Sequence, residues 1–311
     1  MKILQISKLY YPHVGGVEKI VQQISEGLKD NFNLSVLACQ KKGKSEKKII
    51  NGVNIYKASS LGLFWGMPIS FSFFKIFQKI VNDFDIIDYH YPFPLADLAI
   101  YLFKPKTKLI VHYHSDIVRQ KLLNFLIKPL TLSTLKRADK IIISNPNIVQ
   151  SSPYLSRFKN KCEVVPFGVQ LDVFRTKRKE EVSEIKEKYG DFALFIGRLN
   201  YYKGVSYLIK AIKNTDLNLV IIPSTLNDPE RKKLEKQVKK LNLKNKVYFI
   251  DGVHSEKLIK FYQACKLFVL PSIFKSEAFG IVLIETMACG KPLISTELGT
   301  GTSYVNKDGV T

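Results

Sequence analysis

Short apolar runs alternate with amphipathic stretches along the chain. Residues 2–7 (KILQIS) are one such run; a loop containing glycines follows, and residues 17–28 then place Ile20, Val21, Ile24 and Leu28 on one face of a helix. Strand, loop and helix in that order make a βα unit. The order recurs with apolar runs at residues 34–38, at 86–89 before a helical pattern at 95–103, at 108–112 before a long helical region, and at 140–144. After an irregular stretch at 164–180, a second series predicts strands near 193–196, 217–222, 246–250, 267–270 and 292–295, with a helix at 205–212. Strands alternating with helices imply parallel sheets covered on both faces. The pattern therefore predicts an α/β chain of two Rossmann-like domains facing a cleft, residues 1–170 and 171–311, with no internal repeat.

Length agrees, since 311 residues suit two domains of roughly 100–200 residues each. Charge adds partners: 48 Lys+Arg against 27 Asp+Glu leave +21, and residues 1–170 are the more basic half. A hydrophobic fraction of 46% excludes a disordered basic tail. Phosphate-bearing ligands or an anionic surface are the natural counterparts. Cys39, Cys162, Cys265 and Cys289 form no C-x-x-C pair, which argues against a disulfide framework and zinc knuckles and fits a reducing cytoplasm. The opening residues lack the apolar run of a signal peptide. The uncharged stretch at residues 58–74 is shorter than the roughly 18–20 residues of a membrane span and contains Gly62, Gly66 and Pro68.

Candidate chemistry falls on loops that follow strands, where parallel α/β sheets place their sites. Gly15-Gly16 precedes the first helix, where paired glycines let a ligand reach free N–H groups; a simple tight turn is the alternative. His112 and His114 share one face of a strand end, and His114 runs into Ser115-Asp116, so His114 is the one placed to touch a ligand. No third metal ligand stands at convincing spacing, so no metal is expected. Gly197-Arg198 and Lys203-Gly204 bring two cations to the start of a helix, a clamp for a diphosphate. Glu277 and Glu285 bracket SEAFGIVLIE; a helix starting near Phe279 puts Glu277 at its mouth and Glu285 inside an apolar run, where a carboxylate needs hydroxyl partners. Asp83-Phe84-Asp85 imitates a metal-binding D-x-D but sits at the amino end of a strand and reads as structural. Residues 41–44 and 47–48 read as a solvated basic loop.

Taken together, YYPHVGGVEK, HSD after a strand, GRLNYYKG and SEAFGIVLIETMACGKPLIST resemble the GT4 family of retaining glycosyltransferases, which have the GT-B fold. The resemblance runs over nearly the whole chain. It implies a nucleotide sugar on the second domain, with Arg198 and Lys203 on the diphosphate, Glu285 on the ribose and Glu277 on hydroxyls of the transferred sugar. Gly197, Phe279, Gly280 and Ile281 would line the donor site, Gly15 and Gly16 would approach it from the first domain, and His114 would lie by the reaction centre. It also implies transfer without a metal or other cofactor and without a side-chain nucleophile, the leaving phosphate taking the acceptor's proton. The chain departs from the family where IIPSTLNDPE replaces a G-x-G-P turn and where Phe167-Gly168-Val169-Gln170 replaces Asn-Gly-x-Asp. Family members continue past NKDGVT, so a second domain that is incomplete is expected.

Residues 297–306 (ELGTGTSYVN) resemble bacterial polysaccharide transferases, which leans the donor toward GDP-mannose, with UDP-sugars next. Leu61, Leu63, Phe64, Trp65, Met67, Phe71, Phe73, Phe74 and Phe77 lie beside Lys75 and Lys79, a composition that suits either a peripheral contact with an anionic membrane carrying a lipid-linked acceptor or a core helix. The leading expectation is a cytoplasmic hexosyltransferase at the inner face of the plasma membrane, acting on an envelope saccharide. A non-catalytic nucleotide-sugar-binding or scaffold protein of the same fold is the alternative. Nucleic acid is not expected as a partner, since charge alone supports it.

Overall fold

The computed structural model describes the chain except residues 14, 65, 117–120, 177, 226–227, 229 and 254–255. Trp65, part of the long helical region after residue 112, and part of IIPSTLNDPE thus lie outside the described residues. The chain divides into two compact units, Met1–Pro166 and Phe167–Thr311.

The first unit holds β1 (Lys2–Ile6), β2 (Asn33–Cys39), β3 (Glu46–Ile50), β4 (Val53–Ala58), β5 (Leu63–Phe64), β6 (Met67–Pro68), β7 (Ile86–Tyr91), β8 (Lys108–Tyr113), β9 (Lys140–Ile143) and β10 (Cys162–Val164). Eight of them form one sheet in the order β10-β9-β8-β7-β1-β2-β4-β3, while β5 and β6 pair as a small hairpin. All sheet neighbours run parallel except β3, which lies antiparallel on β4. The sheet is therefore mixed rather than purely parallel. Residues 47–48 belong to the edge strand β3, not to a loop. A strand reading EKKII has no alternating apolar face, and lysines on an edge deter pairing with another chain.

The second unit holds β11 (Phe192–Gly197), β12 (Asn218–Pro223), β13 (Val247–Phe249), β14 (Leu267–Leu270) and β15 (Leu293–Ser295), all parallel, in the order β13-β12-β11-β14-β15. Leu194, Val220 and Phe268 are buried on one face of the sheet and Phe195, Ile221 and Val269 on the other, which is why these strands read as unbroken apolar runs.

The direction in which parallel strands are added reverses between β1 and β7 in the first unit and between β11 and β14 in the second. Such reversals open a crevice at the carboxyl ends of the strands. Of the aromatic stretch, Phe73 and Phe77 lie on the helix Ser72–Ile80 and are wholly buried, with Phe73 edge-on to Phe93 at 5.1 Å. Leu61, Phe64, Ile69 and Phe71, on and beside the β5–β6 hairpin, are exposed.

Candidate active site

In the second unit, β11 ends on Gly197 and the chain passes through exposed Arg198 to the helical turn Tyr201–Lys203 before the helix Val205–Ile212. Gly204 makes that turn possible. Its φ is +67°, and a Cβ there would stand 1.9 Å from the carbonyl oxygen of Pro271, so no other residue fits. The close approach brings the loop after β11 against the loop after β14, where the backbone N–H of Ile273 donates to Tyr202 O at 2.7 Å. Lys203 and Glu277, 74 residues apart, consequently meet: the ammonium donates to Glu277 Oε2, and Ser272 Oγ donates to the same oxygen at 2.8 Å. Both charged residues are buried, at 9% and 7% exposure. Ion pairs hidden from water recover little net stability. One that joins two loops at a strand-order reversal is a mark of a site rather than of a scaffold.

Beyond Glu277, Phe279 is buried and sets its ring edge-on to Phe167 at 4.9 Å; Gly280 takes φ +79° and Ile281 begins the helix Ile281–Ala288. The helix starts two residues later than the sequence suggests, so Glu285 lies one turn inside it. Its Oε2 accepts from Tyr262 Oη at 2.7 Å. Two further residues hold the loops and escaped the sequence reading. Asp228 Oδ2 accepts from Leu199 N at 2.6 Å and from Thr225 Oγ1 at 3.3 Å, tying the loop after β12 to the loop after β11 where the family's glycine turn is absent. Ser272 follows β14 directly, a position that strand-end reasoning can single out. A hollow of about 530 Å³ elsewhere on this unit, lined by Arg175, Arg178, Lys179 and Lys291 among others, contains none of the candidate residues. Convergence of side chains, not concavity, locates the site.

In the first unit, Gly15 caps the helix Gly16–Leu28, and Lys19 N donates to Gly15 O at 3.0 Å. A Cβ on Gly16 would meet nothing within 4 Å, so the fold itself does not demand glycine there. His114 is buried just past β8, its Nε2 2.9 Å from His90 Nδ1. His90 in turn stands beside Asp88, Gln5 and His112, a cluster from three strands. Burial, with His90 and His112 alongside, pushes the His114 imidazole well below its usual range, and burial holds His112 down to about 4 against the pull of Asp88. Burial raises the Asp88 carboxyl, but His112, His90 and Gln5 bring it below the usual carboxylate range. Asp83 and Asp85 stand at the amino end of β7, and Asp85 Oδ2 accepts from the backbone N–H of Lys2 at 2.7 Å; they are structural.

The geometry can be set beside known proteins. Residues 14–173 match the family model described as Glycosyltransferase Family 4, and residues 175–311 the one described as Glycosyl transferases group 1. An O-antigen chain mannosyltransferase C of Escherichia coli is 35% identical over 100% of this chain and 83% of its own. A D-rhamnosyltransferase of Pseudomonas aeruginosa is 33% identical over 100% and 81%. Among solved structures, a sucrose-phosphate synthase from Thermosynechococcus elongatus superposes with a TM-score of 0.80 at 20% identity, covering 97% of this chain and 82% of that one. Anabaena HepE in complex with UDP-glucose gives 0.76 at 18% identity, covering 100% and 84%. Two family matches over residues 14–173 and 175–311, relatives at about a third identity matched over four fifths of their length and two Rossmann-like units establish that the chain belongs to glycosyltransferase family 4 and has the GT-B fold.

Proposed function

We propose that the protein is a retaining hexosyltransferase that moves mannose from GDP-mannose to a lipid-linked or envelope saccharide. The carrying observation is the meeting of Lys203, Ser272 and Glu277 at the strand-order reversal of the second unit. Lys203 and Arg198 serve the diphosphate: the ammonium is already held by the Glu277 carboxylate, and the exposed guanidinium is free to fork onto phosphate oxygens. Charge grows on the leaving diphosphate during transfer, and cations fixed beforehand stabilise it without reorganising. Glu277 accepts hydrogen bonds from hydroxyls of the transferred sugar, Glu285 from the ribose, and the Gly197 and Phe279–Gly280–Ile281 backbone lines the donor. Gly15, Gly16 and His114 are the first unit's contribution. No resident metal or cofactor takes part in the transfer. The names of the Escherichia coli and Pseudomonas aeruginosa relatives support a hexose donor and an O-antigen-like acceptor.

Among the described residues no helix is long and apolar enough to cross a membrane. A peripheral position on the cytoplasmic face is supported by exposed Leu61, Phe64, Ile69 and Phe71 beside the exposed lysines of residues 41–44. The test is turnover with a panel of GDP- and UDP-sugars and a membrane acceptor. Release of GDP from GDP-mannose ahead of every UDP-sugar, lost in Lys203→Ala and Glu277→Ala, is the expected outcome. Undiminished turnover in both variants overturns the site.

A further inference from the structure

One face of the first unit's sheet carries polar side chains where its neighbours carry apolar ones. Ile3, Val36 and Ile55 on this face are buried hydrophobics. Yet β1 contributes Gln5, β7 Asp88 and His90, and β8 His112, with Gln5 in register with Asp88 and His90 with His112. Asp88 Oδ1 stands 3.2 Å from His112 Nε2, Asp88 Oδ2 stands 3.5 Å from His90 Nε2, and the three groups' ligating atoms all lie within 4.8 Å of one another. Donor atoms bonded at 2.0–2.2 Å to a tetrahedral zinc ion are separated by about 3.3 Å. One edge of such a shell, Asp88 Oδ1 to His112 Nε2, is therefore already at length, and His90 Nε2 stands close to the carboxylate's other oxygen.

Gln5 Oε1, on a fully buried residue, lacks a hydrogen-bond partner among the described residues, and Asp88 Oδ1, on a residue 7% exposed, makes no hydrogen bond beyond its 3.2 Å ion-pair contact with His112. Buried oxygen acceptors are seldom left so. The outer contacts fit as well. A ligating imidazole engages a partner through its other ring nitrogen, and His90 Nδ1 lies 2.9 Å from His114 Nε2, which leaves His90 Nε2 to the metal. Gln5 Nε2 donates to Asp88 Oδ2 at 3.0 Å and orients the carboxylate; its contact with His90 Nε2, at 3.4 Å, is long enough to yield to an ion. The His112 side chain, 12% exposed, supplies the way in.

We propose that Asp88, His90 and His112 bind one divalent transition-metal ion, with zinc the best match to two imidazoles and a carboxylate. The site stands at the strand-order reversal of the first unit, joins the carboxyl ends of β7 and β8, and holds His90 and through it His114 in place. It is a structural site, independent of the donor assignment above.

The full chain, stripped with a chelator, is titrated with Co2+ and then Zn2+. One Co2+ per chain with the visible absorption of a four- or five-coordinate ion, displaced by Zn2+, and a melting temperature raised by Zn2+ are expected. His112→Gln and Asp88→Asn should abolish the absorption and weaken Zn2+ binding by at least about 100-fold. Folding of each variant is checked by circular dichroism, and His112→Gln, at the most exposed of the three positions, decides the matter if Asp88→Asn does not fold. A spectrum that stays featureless at millimolar Co2+, or a His112→Gln chain that binds as the parent does, overturns the proposal.

Discussion

Lys203 and Glu277 carry opposite charges out of water on separate loops, so each depends on the other. Lys203→Ala leaves a buried carboxylate with Ser272 as its remaining partner in the site and should cost about 3–5 kcal/mol in urea unfolding. Adding Glu277→Gln should restore most of that stability while nucleotide release stays absent, which separates folding from turnover. Gly204→Ala meets two obstacles, φ at +67° and the Pro271 carbonyl 1.9 Å from the new methyl. The left-handed backbone costs about 1–2 kcal/mol and the clash adds to it, so a loss of at least ~3 kcal/mol is expected from the same measurement. Asp97 offers a pH test. Burial raises its carboxyl to about 7, partly offset by the Thr134 and Tyr89 hydroxyls, from 3.8. A folded value above the unfolded one means that the native state holds the extra proton between pH 3.8 and 7, so stability falls as pH rises through that window. Asp97→Asn should therefore stabilise the chain more at pH 8 than at pH 5, by a difference on the order of 2–4 kcal/mol in parallel melts.

At the scale of elements, the stretch at residues 58–74 splits in two. The helix Ser72–Ile80 is an interior helix, its Phe73, Phe77 and Ile80 facing the sheet. The β5–β6 hairpin before it points Leu61, Phe64 and Phe71 to solvent at 73%, 59% and 76% exposure. Its base is tied to the lysine loop by reciprocal bonds between Gly43 and Ser60, each N–H donating to the other's carbonyl at 2.9 Å. Apolar knobs and lysines are thus held together by backbone, the combination that interfacial binding requires. Vesicles with anionic lipid should shift the fluorescence of Trp65, the chain's one tryptophan, and Leu61→Ser with Phe71→Ser should weaken vesicle binding by at least about tenfold with no change in melting temperature. Composition alone left this choice open. Periodicity reports a helix's buried stripe, whereas exposure of a two-residue strand pair depends on what packs above it. For the same reason β3 and β4 escaped notice. EKKII has no apolar alternation, and β4 buries Lys57, whose ammonium donates to Tyr11 O at 2.8 Å.

Across the whole molecule, the charge of +21 acts at long range and is screened by salt. Affinity for anionic vesicles should consequently fall steeply as ionic strength rises, while the apolar contribution of the hairpin persists; binding unaffected by salt would deny the lysines a part. The sequence by itself determined the α/β class, two Rossmann-like units, the strands of the second unit to within about two residues and the family, because all of these rest on local periods of 2 and 3.6 residues and on contiguous motifs. It also singled out Lys203, Glu277 and Glu285, since charges at strand ends and inside apolar runs are conspicuous. Which groups face one another was decided by tertiary structure alone. Glu277 meets Lys203 because β14 lies beside β11, not beside β13. The carboxylate that His112 meets, Asp88, arrives because β7 and β8 pair in register. Strand order and register follow from how the whole sheet buries its two faces, a balance over many residues that no local spacing records.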